Sequence, residues 1–209
     1  MLSPKLKVLS SLSAGSIGYK TFKTLRLTTG LSATWLSKML REMMEEGLVA
    51  QEGVFYTLTE RGKSMFESVG NYAYPLFLLE KLSLFSEKVA RNPNVEGVIL
   101  FGSLPQGRAN AWSDADLFIV VKDDQYTSEL EEDIRRTARD FELLGELFIV
   151  KMNSFTDRIS NTPLILGVLE GYRILFDREG VLSHAIGRME NRLLKEYEYV
   201  REARVWVKK

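Results

Sequence analysis

Two aspartates, Asp114 and Asp116, stand one residue apart just before the apolar run Leu117-Phe118-Ile119-Val120-Val121. In a strand, residues two apart point the same way, which would set both carboxylates on one face, a few ångströms from each other. Carboxylates that close repel unless a cation lies between them. Their oxygens suit Mg²⁺, which is held by a few carboxylates together with substrate phosphates. Upstream, Gly102-Ser103 follows a second β-rich apolar run, residues 95–101. A glycine there lets a triphosphate approach the main chain, and the N–H groups opening a short following helix would favour an anion. A phosphate cradle beside a divalent-cation seat is the pairing that nucleotidyl transfer needs, because its catalysis is mostly positioning and charge neutralisation.

The string Gly102-Ser103, then Gly107-Arg108, then Ser113-Asp114-Ala115-Asp116-Leu117 between two apolar strands resembles the Gly-Ser, spacer, Asp-x-Asp motif of the DNA polymerase beta superfamily. Within it, the minimal nucleotidyltransferases are most similar. The match is close over residues 95–121 and loose through Gly171–Asp177, which looks like the family's late strand. The resemblance implies a third carboxylate on the next long strand. Residues 143–152 contain that strand after a polar helix over 128–140, and Glu146 is the choice; Glu142 has the same strand parity. The family more often has Asp there. By the same resemblance two Mg²⁺ ions would sit on Asp114, Asp116 and Glu146, with ATP as substrate. Gly102 and Ser103 would hold the β- and γ-phosphates, and Arg108 is within reach of a phosphate. AMP would pass to a protein side chain, or to a nucleic-acid or small-molecule hydroxyl. Antitoxin-type members of the group pair with a small all-helical protein, so such a partner is implied as well.

Positioning these groups requires a small sheet, and the sequence places another module in front of it. Ser3-Pro4 reads as N-cap and first helical position of a helix ending near Ser13, with Gly15 and Gly18 as breaks. Residues 19–28 predict a second helix. Thr29-Gly30-Leu31-Ser32 predicts a turn and an N-cap, and residues 33–46 a third helix with Leu36, Leu40 and Met43 on its apolar face. Residues 48–51 and 54–58, separated by Glu52-Gly53, predict a hairpin, and Thr59 opens a fourth helix. Helix, helix, turn, helix, hairpin, helix is winged-helix order. The phrases around Leu36–Met43, Glu46–Val49 and Tyr56–Lys63 resemble winged-helix regulators of the MarR type. In such a fold the third helix enters the major groove of duplex DNA, with Ser32, Thr34, Ser37, Lys38 and Arg41 outward. A palindromic site would then require a homodimer. Glu52 at the wing tip, with no Lys or Arg beside it, argues instead for ordinary solvated cations or a protein-docking module.

The expected architecture is α+β: a winged helix over 1–70, then a nucleotidyltransferase domain over 71–209 with a small mixed sheet and flanking helices. A helix over 72–90 would join the two units rigidly. Short helices are expected over 155–160 and 164–171, and a last amphipathic helix over about 181–207. His184 is the chain's one histidine, so a histidine-based metal site is not expected. The whole chain balances 28 Lys+Arg against 28 Asp+Glu, while residues 1–70 hold nine against six. A mildly basic front and acidic back fit a nucleic-acid module followed by a metal-using one. With no cysteine, disulfides, thiol catalysis and thiolate zinc are excluded, and a reducing cytoplasm fits. No apolar run reaches the length of a membrane span, and no signal-peptide pattern opens the chain. A second function stays open: a DNA-binding regulator whose nucleotidyltransferase core binds nucleotide without catalysis.

Overall fold

The computed structural model describes residues 2–14, 18–159, 162–200, 203 and 205–209. Helix α1 (Pro4–Ser13) starts with the Ser3 side chain accepting from the Leu6 N–H. The expected break at Gly15 lies outside the described residues. The segment expected as one helix over 19–28 divides into strand β1 (Tyr19–Thr21) and helix α2 (Phe22–Thr29). Thr21 decides the division, because its hydroxyl caps α2 by accepting from the Thr24 N–H. Residues before that cap are free to pair with a strand. Helix α3 (Ala33–Glu45) has Ser32 as N-cap and buries Leu36, Leu40 and Met43. Gly47, at φ +68°, closes it as the Leu48 N–H reaches back to the Met43 carbonyl. Strands β2 (Val49–Glu52) and β3 (Phe55–Leu58) form the wing, and β1 adds to β3 in an antiparallel sheet of order β1-β3-β2.

Helix α4 (Glu60–Val89) is continuous through the boundary expected at 70/71. Pro75 lies inside it and removes one N–H from the helix ladder. Strand β4 (Val95–Phe101) pairs antiparallel with β5 (Asp116–Val121) and with β7 (Arg173–Asp177). After helix α5 (Ser128–Asp140), strand β6 (Leu147–Lys151) pairs parallel with β5, giving a mixed sheet of order β6-β5-β4-β7. A short π-helical turn over Ser154–Arg158 and helix α6 (Pro163–Glu170) follow. The expected end of the former helix at Ser160 lies outside the described residues.

Helix α7 (Val181–Glu196) stops well short of residue 207. Beyond it, β8 (Tyr197–Val200) and β9 (Val205–Lys208) make an antiparallel hairpin. Alternating aromatic and β-branched residues favour a pleated pair over a further helical turn. The Trp206 indole donates to the Leu166 carbonyl at 2.9 Å, fastening the hairpin to α6.

Period-two alternation divides the sheet residues between two cores. Val98, Leu100, Leu117, Ile119 and Val121 join a cluster that runs through α4 and α5 into the winged helix. Ile99, Phe101, Phe118 and Val120 face α6 and α7 on the other side. One apolar core thus continues from the front module to the sheet that carries the aspartates.

Candidate active site

The register of β4 against β5 puts Phe101 opposite Asp116, so Gly102 lies beside the Asp116 carboxylate. Gly102 adopts φ +83°, and a Cβ there would stand 2.5 Å from Asp116 Oδ2. Only glycine fits this close approach. The chain then makes tight turns rather than the expected short helix. The Arg108 N–H donates to the Ser103 carbonyl at 2.9 Å, and Gly107 turns at φ +70°. Ser103 is half-buried at the start of this loop. Arg108 is turned toward α6: its guanidinium donates to Gln106 Oε1 and stands 3.7 Å from the Glu170 carboxylate.

Asp114 precedes β5 and is exposed, while Asp116 is half-buried as the first residue of the strand. Burial raises the Asp116 pKa, and the nearby charge of Asp114 raises it further. The Glu146 N–H opposes this by donating to Asp116 Oδ1 at 3.2 Å. Asp114 also faces Tyr74 of α4, where burial and then the aspartate charge push the phenol up. The loop before Asp114 is set by Asn110, whose side chain accepts from the Trp112 N–H at 2.8 Å. The same loop is pinned to α4, because Asn71 Oδ1 accepts from the Ala111 N–H at 3.3 Å. Beside it lies a cleft of about 340 Å³ lined by Leu12, Phe66, Asn71, Ala111 and Trp112 among others, and Trp112 is 84% exposed.

The structure therefore brings Gly102, Asp114 and Asp116 together. Glu146 joins them through its backbone; its side chain is exposed. Among the described residues, no group of three or more His, Asp or Glu side chains converges to hold a metal ion. The aspartate pair fits a divalent cation nonetheless. Its donors are carboxylate oxygens, and Asp114 lies near enough to Asp116 to add to the rise that burial causes there, so a cation between them would relieve like charge. Glu142, the other acid weighed for the third place, is committed elsewhere, in an ion pair with Lys20. On α3, the outward residues Ser32, Thr34, Ser37, Lys38 and Arg41 are all exposed. The sequence pattern did not point to Tyr74, Asn71 or Lys20, because each belongs to a segment distant along the chain from the motif.

Residues 85–177 match the family model described as Polymerase beta, Nucleotidyltransferase, and residues 8–74 match a winged helix-turn-helix model. The chain joins a winged helix-turn-helix to a polymerase beta nucleotidyltransferase domain. A protein of Methanocaldococcus jannaschii, provisionally named as a protein adenylyltransferase, is 28% identical over 102 residues, 44% of this chain and 66% of that one. This chain thus spans just under two thirds of that relative. A solved structure described provisionally as a nucleotidyltransferase, from Sulfolobus solfataricus, is 19% identical with a TM-score of 0.36, covering 50% of this chain and 85% of that one. Another holds a tri-AMPylated HEPN toxin of Shewanella oneidensis with its MNT antitoxin. It matches at 13% identity and a TM-score of 0.34, over 54% of this chain and 86% of the other. Among the described residues, no helix of the nucleotidyltransferase or winged-helix unit is long and apolar enough to cross a membrane.

Proposed function

We propose that the nucleotidyltransferase domain transfers AMP from ATP to a hydroxyl, foremost on a protein side chain. The observation that carries this reading is the contact between the glycine turn at Gly102 and the Asp116 carboxylate, with Asp114 beside it. That close approach supports a place for phosphates against a place for a cation. In the reaction the acceptor oxygen attacks the α-phosphorus and forms a new P–O bond. The α–β bridging P–O bond breaks, pyrophosphate leaves, and the acceptor proton passes to a base. Asp114 and Asp116 would hold Mg²⁺, and Glu146 would complete a second metal place or take the proton once its side chain turns inward. When bound, the divalent ions would neutralise the triphosphate and make the acceptor hydroxyl more acidic. Gly102 and Ser103 would receive the β- and γ-phosphates. The provisional name of the M. jannaschii relative supports a protein acceptor, and the sequence resemblance supports a small all-helical partner as its source. The winged helix would bring this activity to duplex DNA through Ser32, Thr34, Ser37, Lys38 and Arg41.

One observation favours a second reading. The exposed Glu146 leaves the third carboxylate apart from the aspartate pair, as expected of a core that binds nucleotide and does no chemistry. ATP labelled on its α-phosphate, incubated with the protein, Mg²⁺ and cell extract, separates the two. Transfer predicts label on an acceptor and its loss in Asp114→Asn/Asp116→Asn, by at least about 100-fold for an effect of several kcal/mol. Equal labelling by the double variant would refute the assignment of chemistry to this pair. Bound ATP without any transfer would support the sensing reading.

A further inference from the structure

We infer that Lys20 of the winged helix is a positioning residue for the aspartate pair of the nucleotidyltransferase domain. This rests on the reading of Asp114 and Asp116 as a cation seat. Lys20 lies in β1 opposite Tyr56 of the wing and is 4% exposed. Its ammonium forms an ion pair with the Glu142 carboxylate, across the junction of the two modules. Burial pushes the Lys20 ammonium down to about 8, and Glu142 meets it from a partly buried side chain. From α4, Lys81 donates to the Glu142 carbonyl at 3.0 Å. Glu142 is thus gripped at both its side chain and its backbone, and it is held at φ +48°, which a non-glycine residue keeps only when its surroundings impose it.

The segment that Glu142 opens leads straight to the acids. The Leu144 carbonyl accepts from the Ala115 N–H at 2.9 Å, and the Glu146 carbonyl accepts from the Leu117 N–H at 2.9 Å. Between them Gly145, at φ +122°, lies so close that a Cβ would stand 2.3 Å from the Ala115 carbonyl oxygen. The Glu146 N–H donates to Asp116 Oδ1 at 3.2 Å. Residues 142–146 therefore form a short strut, fixed at one end by Lys20 and Lys81 and fastened at the other to residues 115–117. Partners that orient metal ligands in this way set affinity for the ion.

The test is Mn²⁺ binding by the full chain with a non-hydrolysable ATP analogue, read by electron paramagnetic resonance, with melting temperatures alongside. Lys20→Met and Glu142→Ala should each weaken Mn²⁺ binding about tenfold, the lower end of the effect of such orienting partners. Lys20→Arg, which keeps the charge, should recover most of the loss. A folded Lys20→Met chain with wild-type Mn²⁺ affinity would overturn the inference. If Lys20→Met fails to fold, Glu142→Ala decides, because that side chain is only partly buried. A wild-type chain that binds no Mn²⁺, or binds it equally well as Asp116→Asn, would remove the cation-seat reading and the inference with it.

Discussion

Two lysines, Lys20 and Lys81, are 4% and 2% exposed in a chain whose other cations mostly reach water. Lys81 donates to the Glu142 carbonyl and stands 5.7 Å from the Phe77 ring centroid. Burial, and then the charge of Lys20, lowers its pKa from 10.5 to about 7. A lysine lowered on folding binds its proton less tightly in the native state than in the unfolded one. Its cost to stability is full below about pH 7 and fades as pH rises from there toward 10.5. Lys81→Met should therefore stabilise the protein most at pH 6, with the gain shrinking across that window. Thermal melts of both chains from pH 6 to about pH 10 check this, and a variant less stable at every pH would contradict it. This residue was invisible in the sequence, where a lone lysine in a helix reads as solvated; only tertiary packing buries it. The nearness of Gly102 to Asp116, with Asp114 beside them, was legible because it follows from local spacing along two adjacent strands. Glu146 was singled out by the family resemblance, which implies an acid on the strand after Asp116, and strand parity did not separate it from Glu142; the direction of its side chain was not legible.

Most elements were legible from caps and periodicity. Ser32, Gly47 and Thr59 mark helix ends that the structure reproduces within a residue or so. Two segments were not. Residues 19–21 look helical by composition but pair with β3, because a neighbouring strand competes successfully for residues ahead of the Thr21 cap. Residues 197–200 continue the apolar spacing of α7, yet their aromatic and β-branched content pairs them antiparallel with residues 205–208. Helix α3 carries the element-level prediction for DNA. Lys38 lies 3.8 Å from Glu42 and 5.4 Å from the Trp35 ring centroid, and both Lys38 and Arg41 are exposed. If α3 docks on duplex DNA, Lys38→Ala/Arg41→Ala should lower affinity and reduce the slope of log affinity against log salt by about 2, near one for each phosphate that is no longer neutralised. A gel-shift series over salt concentration reads that slope. An unchanged slope would assign α3 to another role, as the Glu52 wing tip already suggests.

At the scale of the molecule, the two modules share one core. The same apolar cluster contains Leu36 of α3, Phe85 of α4 and Ile119 of β5. Helix α4 provides this continuity, and the Lys20–Glu142 ion pair and the Asn71–Ala111 hydrogen bond cross the same junction. A joining helix was legible from the apolar spacing over 72–90, but the contacts across the junction were not, since each of them joins residues far apart in sequence. The consequence we propose for function is that Asp114 is steadied through its loop on α4 and Asp116 through the 142–146 strut. The central claim is that this pair seats a divalent ion against a triphosphate at Gly102-Ser103. Crystals grown with Mn²⁺ and a non-hydrolysable ATP analogue test it directly through the anomalous signal of the metal. The account predicts a manganese peak between the carboxylates of Asp114 and Asp116, with the β- and γ-phosphates at the main chain of residues 102–103. Nucleotide bound elsewhere, or bound there with no metal between the two aspartates, would contradict it.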